Sequence, residues 1–421
     1  MIPQPLPYVS NETLHQIAND YGTPVYVYDA QLIKEKFNAY QQAFAGRRQQ
    51  ICYAVKANSN LAVLNYLADL GAGFDIVSVG ELQRVLMAGG QAEKTIFSSV
   101  GKQIEEIAFA LEVGIAAFDV ESLEELDTII AVAKEMGEVA PISIRFNPDV
   151  DAKTHPYIST GLKDNKFGLT AEPALQAYRK ARDSRYTKVV GINMHIGSQI
   201  TDLSAFSEAM LIQSQFIQRL KDELNISLTH INVGGGIGVK YDDEDPIDIR
   251  VWAEKVKQCY PDNEVMLVME PGRSIVANAG VLLTRAIYQK TQSARHFCVV
   301  DAAMNDYARV ALYQSYNLIS NLSRAAEQPL AQDIVGPVCE STDCFAKARR
   351  LDVVGGDLLA IHDTGAYGFA MASNYNSRGR AAEVLAEGDD YHLIRRRETF
   401  EDIIAAELVG QFELENLPED N

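Results

Sequence analysis

Sulfur, positive charge and long apolar runs are all scarce in this sequence, and each scarcity removes a class of protein. The five cysteines, Cys52, Cys259, Cys298, Cys339 and Cys344, are odd in number, scattered and without a CxxC pair. That pattern argues against a disulfide framework or a structural metal and suits a reducing cytoplasm. No segment approaches the roughly 18 apolar residues of a membrane span, and Met1-Ile2-Pro3-Gln4-Pro5 has neither the basic region nor the apolar stretch of a secretory signal. Lysine and arginine number 38 against 57 aspartates and glutamates, a formal charge of -19. Phosphate backbones and anionic membranes are repelled by such a chain, so neither nucleic acid nor a membrane is expected as a partner.

What is present is regular. At 421 residues the chain has room for two domains, one of them a barrel of about 250 residues. The pattern predicts a helix from Asn11 to Tyr21 and a strand at Val25-Tyr26-Val27-Tyr28. Apolar runs of strand length then follow at Ile51–Val55, Gly73–Ile76, Thr95–Phe97, Ala116–Val120, Ile142–Phe146, Val189–His195, His230–Val233 and Val265–Met269, with helical patterns in most of the gaps. Near-continuous apolar strands alternating with helices predict an α/β fold, a (β/α)8 TIM-like barrel, with an open doubly wound sheet as the alternative. Ser122 before Leu123-Glu124-Glu125-Leu126 is placed to cap a helix, which makes those acids scaffold. Beyond about residue 280 shorter stretches, His296–Val300, Leu351–Val354 and Asp357–Ile361, sit between Gly, Pro and Asp turns, as in a mostly β domain. The expected division is residues 30–280 for the barrel, with residues 1–29 and 281–421 forming a second, mostly β unit. The acidic tail, Glu413 to Asn421, is expected to be solvated.

Lys56 ends the first of those runs. A buried strand that delivers an ammonium group has a chemical use, because a desolvated lysine sheds its proton and a neutral amine forms a Schiff base with an aldehyde such as pyridoxal phosphate. The plain alternative is a lysine just past a strand end, reaching back to water. Gly234-Gly235-Gly236 follows the seventh run, where missing side chains let backbone N–H groups approach a phosphate; alone, such a cluster is more often a tight turn. The eighth run closes with Glu270-Pro271-Gly272-Arg273, either a surface turn with an ion pair or part of the same rim. His195, at the end of the sixth run, is a core histidine or an imidazole lying flat on a planar ligand, with Ser198 offering a hydroxyl to its phosphate.

Taken together, Tyr53-Ala54-Val55-Lys56-Ala57-Asn58, Met194-His195-Ile196-Gly197-Ser198-Gln199, Gly234–Gly236 and Glu270-Pro271-Gly272-Arg273 resemble the signatures of pyridoxal-phosphate decarboxylases with the alanine-racemase-like fold, over essentially the whole chain. Within that group Thr154–Gly161, Lys166-Phe167-Gly168, Asp301–Asp306, Arg309 with Ala311-Leu312-Tyr313, Cys339–Asp343 and Gly365-Ala366-Tyr367-Gly368 are similar to the diaminopimelate decarboxylases. The resemblance implies that Lys56 holds pyridoxal phosphate as a Schiff base, His195 stacks on its ring and Glu270 pairs with the pyridine nitrogen. A carboxylate there keeps the nitrogen protonated and the ring able to accept electrons. By the same resemblance Ser198, Gly234, Gly235, Gly236, the turn of Pro271, Gly272 and Arg273, and Tyr367 hold the phosphate. Arg273, Arg309 and Tyr313, with Tyr367 beside them, bind the distal carboxylate of meso-2,6-diaminopimelate, and Glu340 binds its distal ammonium. Cys339 is implied as a proton donor reaching across from a partner subunit, making the active unit a homodimer with shared sites that catalyses the last step of lysine biosynthesis. Decarboxylation of ornithine, arginine or a carboxylated polyamine is the near rival, disfavoured by the arginines. A non-catalytic carrier of pyridoxal phosphate is a more distant one.

Two departures from the family pattern stand out. Gly379 occupies a position where proline is expected, and Ser98-Ser99-Val100-Gly101-Lys102 lacks the histidine and asparagines often found there, so no cofactor contact is assigned to it. The irregular stretch from Thr154 to Gly168 is expected to fold over the site as a lid.

Overall fold

The computed structural model of the protein describes residues 2–151, 161 and 165–407. The helix Asn11–Tyr21 forms over its predicted residues, started by Ser10, whose hydroxyl accepts the Thr13 N–H at 3.1 Å. Strand β1 (Val25–Asp29) and the helix Ala30–Ala43 follow. Then come β2 (Gln49–Ala54), β3 (Gly73–Ile76), β4 (Thr95–Phe97), β5 (Ala117–Val120), β6 (Ala140–Arg145), β7 (Thr187–Asn193), β8 (His230–Asn232) and β9 (Met266–Met269). These strands pair in parallel in chain order, and β2 also pairs with β9, which closes the barrel and removes the open-sheet alternative. The predicted apolar runs fall on these strands with small shifts at their ends.

The helices cover the outside. Trp252, fully buried, meets Phe44, Phe206 and Tyr40 edge-on at centroid distances of 5.6, 5.9 and 6.3 Å, locking three flanking helices together. Helix starts are ordinary: Ser122 accepts the Glu125 N–H at 3.1 Å and begins the helix Leu123–Met136. Inside the barrel, Cys52, Ile96 and Val268 form a small apolar plug. His230 fills the space beside Gly191, where a Cβ would stand only 2.0 Å from its Nε2. Above that plug the two-residue period of the strands turns Asp75, Asp119, Asn193 and Asn232 inward, all of them buried. Polar side chains buried at the carboxyl ends of barrel strands mark where a ligand belongs.

The remaining strands are β10 (Gly280–Gln292), β11 (Arg295–Val300), β12 (Ile319–Asn321), β13 (Leu330–Val335), β14 (Cys344–Leu351), β15 (Leu358–Ile361), β16 (Ala382–Glu387) and β17 (Asp390–Arg395). With β1 they make a nine-stranded sheet in the order β14-β13-β11-β10-β1-β16-β17, with β15 joining β10 to β12. The N-terminal β1 completes it, antiparallel to β10 and parallel to β16.

One expected stretch is corrected: the chain leaves the sheet after Leu351. Asp352 accepts the N–H groups of Glu327 and Gln328 at 2.9 and 2.8 Å, and Asp357 accepts that of Val354 at 2.9 Å, so Asp352–Val354 is irregular chain leading into the turn at Gly355-Gly356 despite its valines. Gly379 also gains a reason, since a Cβ there would lie 2.4 Å from the Glu398 carbonyl oxygen. Of the expected lid, Gly161 and residues 165–168 are described; its other parts beyond Asp151 and the tail Glu413–Asn421 lie outside the described residues.

Candidate active site

Lys56 sits on a short turn, Val55–Ala57, immediately after β2, and its Nζ donates to Asp75 Oδ2 on β3 at 2.6 Å. The Lys56 side chain keeps 37% of its surface open to the cavity while the Asp75 side chain is fully covered. Burial works against the charge on Lys56, but Asp75, with Tyr367 and Glu270 adding, outweighs it and holds the ammonium above the usual lysine range. Desolvation alone therefore gives the wrong sign: with Asp75 in place the amine is a stabilised cation.

Across the barrel mouth Glu270 follows β9, 6% exposed, with its Oε1 accepting from Asn232 Nδ2 at 2.5 Å and Asn193 Nδ2 at 3.2 Å. Burial raises the Glu270 carboxyl well above the usual range; Asp75 and Asp119 push the same way and Lys56 opposes them. Asp119 on β5 is driven up to about 7, chiefly by burial. One ammonium thus faces three buried carboxyl groups, an arrangement that favours an added positive charge between them.

His195 accepts the Gly235 N–H at Nδ1 (3.3 Å). Burial, reinforced by Arg145 and Lys56, holds the imidazole well below its usual pKa, so it is neutral with its proton on Nε2. The glycines are demanded by close approach. A Cβ on Gly234, Gly235 or Gly236 would fall 2.2, 2.0 and 2.2 Å from the carbonyl oxygens of Met194, Glu270 and Gly197. Gly272 lies against Ala54 and Ala57, where its Cβ would come within 3.0 and 3.1 Å of theirs. The Gly234 and Gly235 N–H groups are already used, by Asn232 Oδ1 at 2.8 Å and by His195.

Arg273 and Arg309, 5% and 7% exposed, stand beside one another. Arg273 donates to Ser198 Oγ at 3.0 Å and to the Tyr241 hydroxyl at 2.8 Å, and its guanidinium lies 4.9 Å from the Tyr367 ring centroid. Arg309 packs 5.4 Å from the ring of Tyr313 and 5.8 Å from those of Tyr241 and Tyr367, and its buried Nε has no partner. Among the described residues neither guanidinium forms a salt bridge. Buried charges are ordinarily paired, so two adjacent cations without a carboxylate form a seat for an anion.

A small cavity lined by Lys56, His195, Ser198, Gly236, Glu270 and Tyr367 joins these groups. The fold brings Lys56, His195, Ser198, Gly234–Gly236, Glu270–Arg273, Arg309, Tyr313 and Tyr367 to one end of the barrel. Cys339 and Glu340 are elsewhere, in the exposed turn between β13 and β14. There the Cys339 N–H bonds Asn376 Oδ1 at 3.1 Å, and Glu340 accepts from Tyr375 at 2.5 Å and Thr342 at 3.0 Å.

Sequence reasoning missed Asp75, Asp119, Asn193, Asn232, Arg145 and Tyr241. A carboxylate within a four-residue buried strand was the available signal for the first two. Arg145 forms a buried pair with Glu121 at 2.8 Å, and Glu121 also takes the Gly168 N–H at 2.7 Å, which ties Lys166-Phe167-Gly168 to the rim. Lys102 turns away from the cavity to bond Glu125 at 2.6 Å and the Asp119 carbonyl at 2.7 Å.

The residues suit a phosphorylated pyridine aldehyde: an amine, a buried acid opposite and a side-chain-free cradle. Residues 30–277 match the family described as pyridoxal-dependent decarboxylase, pyridoxal binding domain, which defines the class. The chain is 51% identical to a diaminopimelate decarboxylase of Neisseria meningitidis, over 93% of this chain and 97% of that one. It is 49% identical to one from Pseudomonas aeruginosa, over 95% and 96%. The crystal structure of diaminopimelate decarboxylase from Helicobacter pylori complexed with L-lysine superposes with a TM-score of 0.90 at 43% identity, covering 94% of this chain and 99% of that one. The chain belongs to the diaminopimelate decarboxylase family.

Proposed function

We propose that the protein removes carbon dioxide from meso-2,6-diaminopimelate and yields L-lysine, the last step of lysine biosynthesis. The observation that carries this reading is the pair of buried guanidiniums, Arg273 and Arg309, with no acid to neutralise them among the described residues. A substrate with a carboxylate at its far end satisfies them, whereas ornithine or a diamine does not. The crystal structure of the Helicobacter pylori relative in complex with L-lysine supports the same assignment.

Bound pyridoxal phosphate supplies an electron sink, its protonated ring accepting the electron pair left as carbon dioxide departs. Lys56 is the residue that holds it covalently. Glu270, fixed by Asn193 and Asn232, keeps the proton on the ring nitrogen, and neutral His195 covers one face. Ser198, Gly236, Pro271, Gly272, the Arg273 backbone and Tyr367 hold the phosphate, while Gly234 and Gly235 let the loop pack closely against Met194 and Glu270. Arg273, Arg309 and Tyr313 orient the substrate through its distal carboxylate, so that the reacting carboxylate is presented for loss.

Cys339 delivers a proton from Sγ to the carbon that has lost carbon dioxide, and Glu340 receives the distal ammonium, both acting in the site of a second copy of this chain. Their exposure and their distance in sequence and fold from the Lys56 turn support a homodimer with shared sites. In this reading residues 30–280 carry the cofactor, and residues 1–29 with 281–421 carry the substrate end and the subunit contact. A cytoplasmic setting with neither membrane nor nucleic acid as partner fits the net charge of -19, and no helix among the described residues is long and apolar enough to cross a membrane.

Purified protein loaded with pyridoxal phosphate is incubated with meso-2,6-diaminopimelate, with ornithine in parallel, and assayed for L-lysine and carbon dioxide. Lysine from the first and no product from the second is the expected result; absence of lysine from loaded protein refutes the proposal.

A further inference from the structure

Tyr241 lies in the chain that continues from the glycine cluster, 8% exposed, in a loop held from both sides. Gln199 clamps Val239, two residues before Tyr241, its Nε2 donating to the Val239 carbonyl at 2.6 Å and its Oε1 accepting the Val239 N–H at 3.1 Å. Glu244 takes the N–H groups of Tyr241 and Asp242 at 2.9 and 2.7 Å. The phenol oxygen accepts from Arg273 Nη1 at 2.8 Å, and the ring faces both guanidiniums, 5.9 Å from Arg273 and 5.8 Å from Arg309.

Two buried cations side by side repel one another, and nothing acidic among the described residues separates them. An aromatic face attracts each without neutralising either. The hydroxyl adds a direction, because with Ser198 it engages two sides of the Arg273 fork and fixes its plane. The Arg309 Nε is left unpartnered. We infer that Tyr241 is a specificity-determining positioning residue: it holds Arg273 and Arg309 apart and oriented so that together they select ligands ending in a carboxylate.

This rests on the proposed distal-carboxylate role of the two arginines, and the test separates the two. L-lysine carries such a carboxylate and 1,5-diaminopentane is the same molecule without it. Inhibition constants for both are measured on holoenzyme of the wild type, Tyr241→Phe, which keeps the ring and loses the acceptor, and Tyr241→Leu, which loses both. KM and kcat for meso-2,6-diaminopimelate and the visible absorbance of bound cofactor are recorded alongside.

The wild type is expected to favour L-lysine. In Tyr241→Phe that preference falls about tenfold, as for loss of one hydrogen bond to a charged group, with KM moving more than kcat and the absorbance retained. Tyr241→Leu loses more preference than Tyr241→Phe. A preference within twofold of wild type in Tyr241→Phe overturns the inference, as does an equal weakening of both inhibitors. A wild type that does not distinguish the two inhibitors instead overturns the distal-carboxylate reading itself.

Discussion

Replacing Glu270 with Gln separates what the buried acid costs the fold from what it gives the chemistry. In the cofactor-free chain the Glu270 carboxyl is held well above the usual range by burial, with Asp75 and Asp119 adding to the effect. An acid raised in the folded state binds its proton more tightly there than in the unfolded chain. Its contribution is therefore fully present below the unfolded pKa of about 4.3 and is lost as pH rises through the folded value. Over each pH unit in which the folded chain holds this proton and the unfolded chain does not, the fold loses about 1.36 kcal/mol. Glutamine has the shape of the protonated acid, and its carbonyl can accept from Asn193 and Asn232 as Glu270 Oε1 does. Cofactor-free Glu270→Gln should match the wild type near pH 4.5 and gain on it by about 1.4 kcal/mol per pH unit above that until Glu270 ionises in the fold. At about 2–4 °C per kcal/mol for units of this size, each such pH unit separates the melting midpoints by about 3–6 °C. Thermal unfolding of both stripped proteins across that pH range reads this directly. The loaded variant should lose about 10²–10³-fold in kcat, the scale of removing one preorganised charge partner. Parallel pH dependences of the two midpoints would refute the reasoning.

Lys56→Ala leaves the buried Asp75 without its cation, so the cofactor-free variant should melt below the cofactor-free wild type at pH 7, and it should retain no yellow colour after gel filtration with pyridoxal phosphate, because the covalent anchor is gone. Arg309→Ala should raise KM for meso-2,6-diaminopimelate by about 100-fold, the scale of a charge-assisted contact in a buried site; steady-state kinetics measures it. Mixing inactive Lys56→Ala with inactive Cys339→Ala should recover about a quarter of wild-type activity, since random pairing makes half the dimers mixed and each mixed dimer has one intact site. No recovery after subunit exchange, verified by mass, counts against shared sites.

The local features of the rim were legible because each is a property of a few adjacent residues. An apolar run that ends in Lys56, or glycines that follow a strand, can be read without knowing what lies opposite. So could the barrel, since eight apolar runs separated by helical patterns allow few closed arrangements. What could not be read were the residues that answer the legible ones. Asp75 is 19 residues from Lys56, Ser198 is 75 from Arg273, and Asn193 is 77 from Glu270. Lys56 meets Asp75 because β2 pairs with β3, and the other two pairs meet because β8 lies between β7 and β9.

By itself, then, the sequence determined the alternation of strands and helices, the lysine at a strand end, the glycine cradle and the supply of arginines. All of these follow from periodicity and local backbone chemistry. Tertiary structure alone decided the charge of that lysine, which burial would have neutralised and Asp75 instead preserves. It alone placed two arginines together with no acid between them among the described residues and turned Cys339 and Glu340 outward. The reason is one of range: hydrophobic pattern and turn chemistry act over a few residues, whereas electrostatic environment is set by whatever the closed fold brings within several ångströms.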